Sequence, residues 1–130
     1  MKSAAENYYF ENIGIADGLS HSTVNAIIQD RKGFMWFGTK CGLCRYDGLS
    51  IREFHRQRGM PYTLGNNLIK CLYEDADRNI WVGTDEGLYV YSLERETFTS
   101  ITDIVECATP IVHTVTAIDA DRKGMIWFAV

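Results

Sequence analysis

The stretch FMWFGTKCGLCRY returns 45 residues further on as NIWVGTDEGLYVY. Trp36, Gly38, Thr39, Gly42, Leu43 and Tyr46 fall on Trp81, Gly83, Thr84, Gly87, Leu88 and Tyr91. Upstream, Leu19 and Asp30 fall on Leu64 and Asp75 at the same offset. A third copy follows at an offset of 91, where VNAIIQDRKGFMWF becomes VTAIDADRKGMIWF. A tandem unit of this size restricts the chain to arrays in which each unit buries its faces on its neighbours. Those arrays are helical pairs or four-stranded propeller blades.

Local chemistry selects strands. VNAIIQD is apolar and β-branched, and DRKG after it is a tight turn, with Asp to bond its own backbone and Gly to take positive φ. FMWFGT is apolar on both faces, as suits a strand covered from both sides. KCG turns again, with Gly42 where a hairpin needs it. LCRYD and SIREFH supply a third and a fourth strand. No long stretch carries a capped 3.6-residue period, so helices are not expected. The predicted fold is all-β, built of four-stranded antiparallel propeller blades. Trp36, Trp81 and Trp127 should fill the space between blades. Gly38 and Gly83 should admit a neighbour close to the backbone, and Gly42 and Gly87 should close hairpins. Thr39 and Thr84 can bond locally through their hydroxyls. The second copy reads DADRN, with Arg78 in the place of Gly33, so its turn is expected to differ in type, with Asn79 left-handed.

The order of strands predicts an incomplete ring of about two and a half blades. Residues 7–13 read as the outer strand of a closing blade, 19–58 as a first blade, 64–101 as a second and 115–130 as the first half of a third. A piece of this kind exposes apolar faces and open strand edges, which invite self-association, and its natural partner is the rest of the parent propeller.

The repeat also disposes of CGLC, residues 41–44. The second copy has Glu86 and Tyr89 where the first has Cys41 and Cys44, and the flanks are strands rather than the helix N-terminus that activates a redox thiol. No further cysteine pair stands at zinc spacing, so no metal and no cofactor is expected. Cys71 aligns with Ala26 and Ala117 and reads as a small buried residue, and four cysteines are too few for a disulfide scaffold. A net charge of −4 with small basic clusters gives no field for a nucleic-acid backbone. No apolar run is long enough for a membrane span, and MKSAAENYYF has no signal-peptide core. His21, His55 and His113 sit at different phases of the repeat, and Asp30, Asp75 and Asp121 recur once per blade as turn-formers. No catalytic residues are therefore assigned, and the chain is not expected to be an enzyme. The candidate ligand contacts lie in the loops that lead into each innermost strand: His21, with Asp17 and Ser20, in one, and Asn66 and Asn67, with Thr63, in the next. As turn-forming residues these also have a purely structural reading.

GLSHSTVNAIIQDRKGFMWFGTKCGLCRYDG and NNLIKCLYEDADRNIWVGTDEGLYVY resemble the two-component regulator propeller repeat, over about residues 8–130. YYFENIGIADGLSHSTV is similar to the start of the sensor region of hybrid two-component sensors. The resemblance implies the N-terminal part of a periplasmic propeller whose membrane-anchored parent carries a β-sandwich, a transmembrane helix, a histidine kinase and often a receiver and a DNA-binding domain. It further implies a non-catalytic role in signal transduction by carbohydrate sensing, with an oligosaccharide as ligand and kinase activity outside this chain. The alternative is a propeller scaffold for protein interaction without a small ligand.

Overall fold

The computed structural model describes the backbone of residues 2–5 and the whole of residues 7–105 and 109–130; Cys107 lies outside them. Two four-stranded antiparallel meanders form its centre. The first runs β3 (Val24–Gln29), β4 (Met35–Thr39), β5 (Gly42–Tyr46) and β6 (Ile51–Phe54). The second runs β7 (Ile69–Glu74), β8 (Ile80–Thr84), β9 (Gly87–Ser92) and β10 (Thr97–Ser100). Two-stranded sheets flank them. One pairs β1 (Lys2–Ala5) with β2 (Tyr8–Glu11), and the other pairs β11 (Ala117–Ala120) with β12 (Ile126–Ala129). The all-β blade architecture expected from the repeat is the one observed. Among the described residues, helix is confined to single turns in connections, a 3-10 turn at Ile15–Asp17 and α1 at Ile101–Ile104, the latter capped by the Ser100 hydroxyl on the Thr102 N–H. These turns are too short to register as a hydrophobic period in the sequence.

The blades repeat in register as well as in sequence. Trp36 lies opposite Ile28 and Arg45, and Trp81 lies opposite Tyr73 and Val90. A register shift falls at the same point of both inner strands, between Val24 and Ala26 and between Ile69 and Cys71. Such a shift bends and twists the strand that carries it.

The core lies between blades rather than within one. Trp36 is fully buried in a cluster with Phe54 of its own blade and Leu72, Ile80, Val82, Tyr91 and Phe98 of the next. Its ring stacks on Phe54 at 5.8 Å and meets the edge of Tyr91 at 5.4 Å. Trp81 is half-buried against Ile118 and Phe128 of the two-stranded sheet that follows. Trp127, at the same phase again, is 61% exposed. Each tryptophan is therefore covered only as far as the next sheet reaches.

One expectation is corrected. The turn after β7 has the same form as its counterparts, with the Arg78 N–H on the Asp75 carbonyl at 3.1 Å where Gly33 bonds Asp30 and Gly124 bonds Asp121 at 3.0 Å. The left-handed residue is Arg78, at φ 67°, not Asn79. Asn79 spends its N–H on the Asp75 carboxylate and immediately precedes β8, so the register of the blade forces an unfavourable conformation on an ordinary side chain. A smaller correction concerns Cys71, which is half-buried rather than enclosed.

Candidate functional site

At one end of the blades, the hairpin turns between second and third strands meet the loops that lead into the innermost strands. The contact is made by backbone and spans adjacent blades. The Gly42 N–H donates to the Asn67 carbonyl at 2.6 Å, and the Gly87 N–H donates to the His113 carbonyl at 2.9 Å. Both glycines hold positive φ, 114° and 98°, and a Cβ on Gly87 would stand 2.8 Å from the Ile111 carbonyl. Glycine is needed there for conformation and for space. Inside each turn the threonine hydroxyl donates across it, Thr39 to the Gly42 carbonyl at 2.8 Å and Thr84 to the Gly87 carbonyl at 2.9 Å.

The three candidate ligand residues all sit on this rim and all organise it. Nδ1 of His21 accepts from the Thr23 N–H at 2.9 Å, and Oδ1 of Asn66 accepts from the Leu68 N–H at 2.9 Å. The two occupy the same phase of the repeat and make the same two-residue cap. Asn67 accepts the Arg56 N–H on Oδ1 at 2.6 Å while its carbonyl holds Gly42 of the preceding blade. His21 and Asn66 are thus equivalent positions on successive blades, and Asn67 ties those blades together. His55 stays apart from His21, paired with Glu53 at 2.9 Å beside Gly42. Among the described residues no group of His, Cys, Asp and Glu is disposed to hold a metal ion.

The two cysteines of CGLC part company. Cys41 is exposed in the turn, and Cys44 is buried with its sulfur 3.2 Å from the Ser20 hydroxyl. In the second blade Tyr89 replaces Cys44 and Gly65 replaces Ser20, and a Cβ on Gly65 would collide with the Tyr89 ring. Cys44 with Ser20, and Tyr89 with Gly65, are two fillings of one volume.

Two side-chain interactions escaped the sequence reading. The aspartates at the turns do more than bend the chain, since Asp30, Asp75 and Asp121 each bond a tryptophan indole as well. Arg31 crosses to the next blade, its backbone N–H on the Glu74 carboxylate at 2.9 Å and its guanidinium on the Ala76 carbonyl at 3.0 Å. The six-residue spacing from Asp to Trp in every copy carried the first signal. The second had none, because position 31 is Ala in the second copy.

Residues 18–40 and 63–86 match the two-component regulator propeller family, at the two complete blades. The extracellular domain of a hybrid two-component system from B. thetaiotaomicron has a similar structure, with a TM-score of 0.79 and 28% identity, over 91% of this chain and 17% of that one. A second extracellular domain from B. thetaiotaomicron, of a one-component system, shares the fold at a TM-score of 0.64 and 24% identity, over 82% of this chain and 15% of its own. In sequence, 54 residues are 37% identical to Histidine kinase P4 of Formosa agariphila, covering 42% of this chain and 4% of that protein. The chain therefore spans a small part of the length of each of these relatives. Its first two blades, which carry Trp36 and Trp81, are thus similar to the two-component regulator propeller repeat.

Proposed function

We propose that this chain is a section of the extracytoplasmic sensor propeller of a two-component signalling protein, that it lies in the periplasm, and that the ligand sensed is an oligosaccharide. The observation that carries the reading is the likeness to the extracellular domain of a hybrid two-component system, close in backbone over 91% of the chain. On this reading the chain works through binding energy alone. Its partner is the rest of the parent propeller, and phosphoryl chemistry belongs to segments outside it. Ligand binding would shift a domain equilibrium by as much as the two states differ in affinity.

The rim supports a hydroxyl-rich ligand. His21, Asn66 and Asn67 have acceptors already engaged by backbone, which leaves the Nδ2 groups of the asparagines as donors to sugar oxygens. A thermal-shift screen against a panel of oligosaccharides, with and without chelator, tests this. A rise in melting temperature that is insensitive to chelator and abolished in Asn66→Ala supports it. A chain that binds a protein partner and shows no response to any sugar is a scaffold instead.

A further inference from the structure

We propose that the two complete blades hold a small oxyanion between them, a carboxylate, sulfate or phosphate group seated on Arg45 and Arg52 of the first blade and on the Tyr91 hydroxyl of the second. Arg45 on β5 and Arg52 on β6 are paired directly opposite each other. Both guanidinium groups lie over the ring of Phe54, a member of the interblade core, at 5.9 and 4.8 Å. Like charges so placed destabilise a sheet unless something neutralises them. Glu96 of the second blade does this for Arg52, at 2.9 Å. Arg45 has rings instead. It is half-buried, with its guanidinium 4.8 Å from the Phe34 ring and 5.6 Å from that of Trp36, and among the described residues it pairs with no carboxylate. Two cations thus share one acid.

Tyr91 shows what is missing. It is fully buried, and its hydroxyl has no hydrogen-bond partner. Burial pushes the phenol above its ordinary range, so it keeps its proton, and the neighbouring Arg45 is a donor with no lone pair to receive it. Tyr46 holds the same place in the first blade, opposite Met35 as Tyr91 is opposite Ile80. There the hydroxyl has two acceptors, the Gly48 carbonyl at 2.9 Å and the Glu11 carboxylate at 3.2 Å. One tyrosine meets an acid and its counterpart meets arginines. Nor does the repeat require those arginines. Arg45 lies opposite Trp36, and the residue opposite Trp81 is Val90, which pairs with Thr99. An oxyanion answers all three groups. Its oxygens accept the forked guanidinium N–H groups, and as Arg45 turns to meet it one oxygen reaches the Tyr91 proton. Arg52 and Glu96 are about half exposed, so the site opens to solvent.

Side-chain NMR during a titration with sodium phosphate, at constant ionic strength in chloride, tests this. The Arg45 Nε–H and the Trp36 indole N–H are expected to shift along one saturable curve. Arg45→Lys keeps the charge but loses the fork, and should weaken binding about tenfold or more. Tyr91→Phe should weaken it as well. In anion-free buffer the same variant should have a urea midpoint equal to or above that of the wild type, because a buried donor without an acceptor has been removed. That second measurement keeps the test decisive if Arg45→Lys fails to fold. Sulfate and acetate in place of phosphate, and glucuronate against glucose, tell a free ion from an acid group carried on a sugar. Saturable binding of any of these anions at Arg45 supports the site. No saturable shift with any of them, or one affinity in the wild type and both variants, overturns it.

Discussion

The indole Nε1 of Trp36 donates to Oδ2 of Asp30, six residues upstream, at 2.8 Å. Oδ1 of the same carboxylate receives the N–H groups of Lys32 at 2.9 Å and Phe34 at 3.0 Å. One side chain thus fixes the turn and orients the largest ring of the core. Asp75 does the same for Trp81, Asp77 and Asn79, and Asp121 for Trp127, Lys123 and Met125. Asp30 is buried while Asp121 is exposed, so the same latch has unequal weight. Asp30→Ala strands a buried indole and two turn amides, and is expected to cost about 3 kcal/mol or more in urea denaturation. Asp121→Ala, whose donors turn to water, should stay within about 0.5–1 kcal/mol.

Arg78 at φ 67° stands where the other two copies have glycine. Arg78→Gly is expected to stabilise the fold by about 1 kcal/mol, the relief of a left-handed side chain less the added freedom of the unfolded chain. The measurement is the urea midpoint at unchanged slope.

Gly83 has no room for a methyl group. A Cβ there would collide with the Cys71 sulfur and stand 3.0 Å from the Val115 carbonyl of the next sheet. Gly83→Ala should cost about 1–3 kcal/mol. Gly14, at φ −132° with nothing within 4 Å, is the control, and Gly14→Ala should be nearly neutral. Equal losses in the two would show that the close approach of the next sheet does not depend on glycine at position 83.

Burial pushes the Cys71 thiol up to about 11, and Cys44 is enclosed, whereas Cys41 is exposed. In a Cys107→Ser background at pH 8, one thiol should react quickly with a maleimide, and peptide mapping should find it at Cys41.

The Asp121 carboxyl is held below the ordinary carboxylate range, first by the Trp127 indole N–H and then by the Met125 and Lys123 amides. A lowered value in the folded state means stability that is present above the unfolded pKa and lost as pH falls through the folded one. The Trp127 indole proton should therefore titrate in NMR with a midpoint below the usual Asp value, and Trp127→Phe should move the Asp121 midpoint upward.

The blade plan was legible in the sequence because it is written repeatedly. Trp36, Gly38, Thr39 and Gly42 recur at fixed spacing, and a residue that recurs once per unit serves the unit. The turn at Arg78 was misread because local propensity favours Asn79 in the left-handed region, whereas the strand pairing of Glu74 with Ile80 sets the loop length and leaves that conformation to position 78. The turn-forming role of His21 and Asn66 was legible, but their equivalence was not, because different residue types make the same bond.

What the sequence alone determined was the unit: its strand order, its turns, and which positions carry the ring, the hydroxyl and the glycines, since each follows from short-range spacing and chemistry. Only the tertiary structure decided which face of each unit is covered. Burial of Trp36, half-burial of Trp81 and exposure of Trp127 come from residues at one phase of one repeat, so no local signal separates them. The difference lies in whether another sheet stands alongside to exclude water.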